Sequence, residues 1–316
     1  IAIGSGTIHD TTRYCATQRG IPFVACPTAA SVDGFCSTVC AMTWGGFKKT
    51  LIGQSPVLVL ADLDVIKEAP AALALSGVGD ILGKYTALAD WKIAHVLTGE
   101  HLCPMIEELT REAVVAVHGC CRGLAGKDVA SFERLTYGLL LSGLAMQLMG
   151  NSRPASGAEH HISHLIEMEP EPLGLSSPGL HGEKVGVGTA IASGVYHQLA
   201  EVEEIGPLVG EYPMITPELI RGVFGERLYD SIARENGEDC MAGVTPGVVA
   251  ERWGEVRRII GEIPTREELE GLYREIGAKA TLADLEVPEE KLGQLLDYSP
   301  LVRNRLTLMR VRRMLK

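Results

Sequence analysis

Apolar positions along this chain recur with two different periods. Up to about residue 76 they form short runs separated by glycine, proline and hydroxyl residues, the pattern of an α/β segment. Ile1-Ala2-Ile3 reads as a strand, residues 10–18 as a helix and Ile21-Pro22-Phe23-Val24-Ala25 as a second strand. Residues 56–61 read as a third strand, apolar enough for a buried parallel sheet. Residues 39–43 and 48–52 flank Trp44-Gly45-Gly46-Phe47 and predict a hairpin. After Pro70 the period becomes helical, over 77–97, 102–121, 129–149, 160–168 and 184–199. The proline- and glycine-rich stretch 170–182 predicts a loop between two of these helices. Segments starting at Thr216, Gly247, Thr265 and Pro288 predict further helices with capping residues. The expected plan is an α/β domain over residues 1–76 followed by an all-α domain over 77–316.

Composition narrows the class. At 316 residues, with 46% hydrophobic and 22% charged positions, the chain suits a globular protein of about two cores. A net charge of −11 excludes a general nucleic-acid binder. The one dense basic run, residues 303–316, has arginines among Leu, Val and Met and predicts an amphipathic C-terminal helix packed on the body. Eight cysteines lie scattered without a CxxC pair, which fits a reduced, cytoplasmic protein. The longest apolar stretch, 135–149, is too short to span a bilayer. The first residue is Ile, inside a strand pattern, so part of the α/β domain is expected to be missing upstream.

Three motifs carry chemistry. Gly4-Ser5-Gly6-Thr7 follows a strand and precedes a helix, a turn in which backbone N–H groups can meet a pyrophosphate. It lacks the six-position dinucleotide fingerprint, and alone it serves equally as a ligand-free strand-to-helix turn. The loop Pro27-Thr28-Ala29-Ala30-Ser31-Val32-Asp33-Gly34 offers small and hydroxyl residues to a cofactor, with Asp33 free to accept hydrogen bonds from substrate hydroxyls. In Glu159-His160-His161-Ile162-Ser163-His164, His160 and His164 share a helical face, and His161 is expected to be exposed. His181 follows across the 170–182 loop, and Asp80 is expected at the start of a helix after Gly77-Val78-Gly79. One carboxylate and two imidazoles can hold a divalent metal with positions left open; each histidine alone reads as a surface residue. No HExxH occurs, which excludes a zincin protease. His9, His95, His101, His118 and His197 read as structural or surface residues, and Lys49, Lys84 and Lys184 as surface lysines that only their charge makes phosphate candidates.

In combination these runs, with Lys84-Tyr85, Asp90-Trp91-Lys92 and His181-Gly182-Glu183-Lys184-Val185-Gly186, resemble the iron-containing alcohol dehydrogenase and dehydroquinate synthase superfamily. Within it they are most similar to the glycerol-1-phosphate dehydrogenase family. The resemblance implies a dehydroquinate synthase-like fold, an α/β nucleotide-binding domain followed by an all-α metal-binding domain. It implies NAD(H) or NADP(H) at Gly6, Thr7, Ile8, His9, Asp10, Thr28, Ala29, Ala30, Ser31 and Ser37. It places a divalent metal, Zn or Ni ahead of Fe, on Asp80, His160 and His181, and substrate on Asp33, Asp80 and His164, with Asp80 and His164 catalytic. The implied reaction interconverts dihydroxyacetone phosphate and sn-glycerol 1-phosphate in a homodimer, with a small phosphorylated substrate, no nucleic acid and no membrane span. Its rivals are a glycerol or other polyol dehydrogenase, a dehydroquinate synthase-like lyase, and a catalytically inactive binding protein.

Overall fold

The computed structural model describes residues 1–238 and 240–316. Its strands all lie before residue 60. β1 (Ala2–Gly4), β2 (Val24–Pro27) and β5 (Leu58–Val59) form a parallel sheet in the order β1-β2-β5, with Ala2 opposite Ala25 and Val24 opposite Leu58. Helix α1 (Gly6–Arg19) connects the first two strands and ends at Gly20 in the left-handed region. The hairpin of β3 (Val39–Trp44) and β4 (Phe47–Ile52) turns at Gly45 and Gly46, both with positive φ, as a primed two-residue turn requires. Fully buried Arg13 on α1 donates to the carbonyls of Gly34, Phe35 and Val39, and so fixes the loop that leads from β2 into this hairpin.

The remainder is helical: α2 (Leu63–Ile66), α3 (Ala71–Leu82), α4 (Lys84–Thr98), α5 (Pro104–Cys120), α6 (Val129–Met149), α7 (Ala158–Met168) and α8 (His181–Ala200). Then come α9 (Pro217–Glu235), α10 (Pro246–Ile260), α11 (Arg266–Ile276), α12 (Leu292–Tyr298) and α13 (Leu308–Val311). Caps decide several starts. Thr216, Thr245 and Thr265 each accept from the backbone N–H three residues on, so α10 begins before the expected Gly247. The expected continuous helix over 77–97 is two helices meeting at Gly83. No described helix is long and apolar enough to cross a membrane.

Three expectations are corrected by packing. Asp80 stands near the end of α3, not at a helix start. His161 is 1% exposed, because α7 runs through the centre of the helical body and is covered on every face. Residues 303–316 make no long amphipathic helix. Thr307 caps the four-residue α13, and buried Arg310 spends its guanidinium on the Pro300 and Arg303 carbonyls and on Asn236 Oδ1. A buried arginine with both terminal nitrogens bonded in this way ties the surrounding chain to itself, which an apolar–polar stripe cannot reveal. Asp90, also fully buried, ties this segment to the body by accepting from Leu308 N, Ala158 N and Tyr196 Oη.

Candidate active site

Two close helix crossings assemble the site. Where α3 meets α8, a β-carbon on Gly79 would stand 2.1 Å from the Gly182 carbonyl oxygen, and one on Gly182 would stand 1.9 Å from that of Ser76. Only glycine permits such an approach, and the neighbours of these two glycines in sequence are Asp80 and His181. Where α7 meets α8, a β-carbon on Gly188 would lie 2.7 Å from the Glu159 carbonyl oxygen, beside His160. Close backbone approach at glycines therefore sets the distances between three helices that each carry one chemical group.

One ligand atom from each of Asp80, His160 and His181 lies within 4.8 Å of the others. His160 Nε2 is 3.6 Å from Asp80 Oδ1, and the two imidazole centroids are 5.4 Å apart. Each imidazole is oriented from behind by a glutamate. His160 Nδ1 pairs with Glu159 Oε1 at 2.8 Å, and His181 Nδ1 with Glu167 Oε1 at 2.9 Å, which leaves both Nε2 atoms for a metal. Glu159 is wholly buried, and its remaining capacity is met by Gly157 N and Thr86 Oγ1. Burial opposes its charge, but the His160 partner keeps its carboxyl below the usual range. Glu167 behaves likewise: against burial, His181 and Lys48 bring it down to about 2. A second ligand set, His164, Glu167 and His181, meets the same distance test. There Glu167 is the carboxylate that orients His181, and using it as a ligand would release that imidazole; the set with Asp80 keeps both imidazoles oriented.

Asp80 needs a further partner, because the half-buried carboxylate of Asp33 stands beside its own buried one. The Nζ of Lys84, with no exposed side-chain surface, sits 2.9 Å from Asp80 Oδ1 and 2.8 Å from Asp33 Oδ2. Burial would raise the Asp80 pKa and lower that of Lys84; their mutual charge reverses both, leaving Asp80 low and Lys84 high. Asp33 also receives Ser142 Oγ at 2.7 Å, while its backbone N–H donates to Asp80 Oδ2. His164 lies across from the imidazoles of His160 and His181, stacked on His181 at 5.8 Å between centroids. Burial, then the charge of Arg303, pushes it well below the ordinary histidine value, so it is neutral.

The glycine turn shares a wall with these groups. A cleft of about 440 Å³ is lined by Gly6, Thr7, Asp10, Asp33, Asp80, His160, His164 and His181, together with Lys48. Gly4 has φ of +154°, which frees the α1 N-terminus to face the cleft. Thr28 N donates to Gly4 O, and the hydroxyls of Ser5 and Ser31 lie 2.6 Å apart, so the two sequence-predicted cofactor loops are joined. Not every expected cofactor residue reaches the cleft. Ile8 is exposed, and His9 is buried edge-on against Phe35. Ala29, Ala30 and Ser31 are buried in the wall, Thr28 is half-buried, and Ser37 turns its hydroxyl to Gly34 O and Val39 O.

Lys84 and Lys184, expected on the surface, are buried at 0% and 7% exposure, while Lys49 is exposed as expected. Sequence reasoning also passed over Glu159, Glu167, Ser142 and Lys48. A signal existed for two of them: Glu159 precedes His160, and Glu167 follows it by two helical turns on the same face. Lys48 and Ser142 had none, since only the fold brings β4 and α6 to the cleft.

The family model described as iron-containing alcohol dehydrogenase matches residues 1–70. A glycerol-1-phosphate dehydrogenase [NAD(P)+] of Bacillus licheniformis is 34% identical over 98% of this chain and 67% of its own. Two solved structures share the fold: glycerol dehydrogenase of Schizosaccharomyces pombe, and maleylacetate reductase of Rhizobium sp. strain MTP-10005. The first has a TM-score of 0.55 at 20% identity over 85% of this chain and 71% of its own. The second has a TM-score of 0.56 at 17% identity over 99% and 72%. Their different names show that this fold alone does not choose a substrate. The chain belongs to the glycerol-1-phosphate dehydrogenase family of the iron-containing alcohol dehydrogenases.

Proposed function

We propose that this chain interconverts dihydroxyacetone phosphate and sn-glycerol 1-phosphate, using NAD(H) or NADP(H) and a divalent metal. The reading is carried by one juxtaposition: the Asp80, His160 and His181 set opens into the same cleft as the glycine turn. The name and 34% identity of the Bacillus licheniformis relative choose the substrate. In this reading residues 1–76 serve the cofactor and 77–316 the metal and substrate. Zinc or nickel ahead of iron rests on the family resemblance, since two imidazoles and a carboxylate suit all three cations. A cytoplasmic setting agrees with eight cysteines that form no CxxC pair.

A cation on Asp80, His160 and His181 would act as a Lewis acid toward the ketone oxygen, and reduced nicotinamide would supply hydride. The chain's own residues do the rest. Glu159 and Glu167 hold the imidazoles with Nε2 forward. Lys84 neutralises part of the charge on Asp33 and Asp80 and keeps both carboxylates facing the cleft. Asp33 Oδ2 is taken by Lys84 and Ser142, and the other oxygen accepts from a substrate hydroxyl. Neutral His164 orients the substrate hydroxyl and relays its proton through water.

The test is NADH or NADPH oxidation by the protein after metal removal and readdition. Dihydroxyacetone phosphate, dihydroxyacetone and a His160→Ala variant are compared in parallel. Metal-dependent turnover that prefers the phosphate ester and disappears in the variant supports the reading. Turnover of dihydroxyacetone alone would move the chain to polyol oxidation and sink it.

A further inference from the structure

We infer that the end of the cleft beneath the β3–β4 hairpin is a phosphate subsite, with Lys48 as the cation that meets the ester. The inference rests on the reading above and deepens it. A phosphate one carbon from a carbonyl must lie beside the groups that hold that carbonyl. Lys48 is so placed: its Nζ is 3.1 Å from Glu167 Oε2, and the other oxygen of Glu167 holds the ligand His181. The other lysines fall away. Lys84 is spent on Asp33 and Asp80, Lys184 does not line the cleft, and Lys49 points to solvent. Successive residues on a strand face opposite ways, so Lys48 faces the cleft because Lys49 does not.

The surroundings favour an anion. Hydroxyl residues Thr50, Ser152 and Ser156 line the same end. Arg303 donates to Thr50 Oγ1 at 2.6 Å, and among the described residues its nearest carboxylate is Glu235 at 3.8 Å. Arg305 stands directly behind and, among the described residues, is bonded to neutral groups: the Ser156 carbonyl at 2.6 Å, the Ser152 carbonyl and the Ser152 hydroxyl. Burial, then the like charges of Arg153 and Arg303, pushes its guanidinium down. Two guanidinium groups with little compensating charge behind a wall of hydroxyls create a positive field at the cleft surface. A dianionic phosphomonoester supplies the missing charge. On its arrival Lys48 exchanges Glu167 for, or shares it with, the phosphate oxygens.

Two measurements on the metal-loaded protein separate this subsite from the wider reading. The first is calorimetric titration with inorganic phosphate of wild type, Lys48→Met and Lys48→Arg. The second is the ratio of kcat/KM for dihydroxyacetone phosphate over dihydroxyacetone in the same three proteins. Lys48→Met should weaken phosphate binding and lower the ratio by about 10- to 100-fold, the range for losing one charged hydrogen-bonding partner. Lys48→Arg should keep most of both. Unchanged phosphate binding in Lys48→Met would overturn the subsite. So would an equal loss on both substrates, which would mean that Lys48 acts only through Glu167 and His181. Lys48-dependent phosphate binding without turnover of dihydroxyacetone phosphate would uphold the subsite and refute the proposed reaction.

Discussion

Gly79 and Gly182 touch backbone to backbone: a β-carbon on Gly79 would lie 2.1 Å from the Gly182 carbonyl oxygen. Asp80 and His181 each stand one residue from this contact, so the spacing of these two side chains depends on the absence of a methyl group. Gly79→Ala must push α3 from α8. The expected cost is about 1–3 kcal/mol of stability, as for overpacking elsewhere, together with weaker zinc binding. Urea denaturation and a zinc titration measure both. A variant of wild-type stability and zinc affinity would show that the crossing tolerates a shift.

Lys84 is predicted to hold more stability than any exposed lysine. Its Nζ lies within 2.9 Å of carboxylates from two separate segments, with no exposed side-chain surface. Lys84→Met leaves Asp33 and Asp80 facing each other without a cation. Breaking a buried pair in this way costs about 3–5 kcal/mol. Chemical denaturation of the metal-free protein should show that loss; a change below about 0.5 kcal/mol is what a surface lysine would give.

Glu159→Gln should weaken metal binding by about 10- to 100-fold, the usual effect of removing a carboxylate behind a ligand histidine. The change keeps the side-chain shape while removing the charge that orients His160 through a 2.8 Å contact. Competition with a chelator reads the affinity. Unaltered affinity would mean that His160 needs no such partner.

His9 supplies an acid-sensitive element. Burial against Phe35 holds it below the usual histidine pKa of 6.5. The unfolded chain therefore takes up a proton near pH 6.5 while the folded chain stays neutral at this position. Its contribution is fully present above that pH and is lost as pH falls toward the folded value, by up to about 1.4 kcal/mol per pH unit. Stability measured between pH 8 and 5 should fall less steeply in His9→Leu. An identical slope in both proteins would show that His9 is protonated in the fold.

Much of the local plan follows from side-chain order alone. The alternation of apolar positions predicts the early strands and the hairpin, and the helical period predicts most of the long helices after Pro70, though it runs α3 and α4 together. Threonine caps and glycine turns mark their ends because they act within four residues. The pairing of Asp80 with two histidines was legible as chemistry, since few residue sets bind a metal and leave room for substrate. Tertiary structure alone decided what lies around them. Lys84 is buried because Asp33, from a distant loop, meets it there; Lys48 enters the cleft because the hairpin folds over α7; residues 303–316 form only short helical turns, because Arg310 finds carbonyls inside. The physical reason is the same in each case. Local propensity depends on neighbours in the chain, whereas the burial of a charge depends on which partner arrives from elsewhere, and spacing along a sequence does not record that.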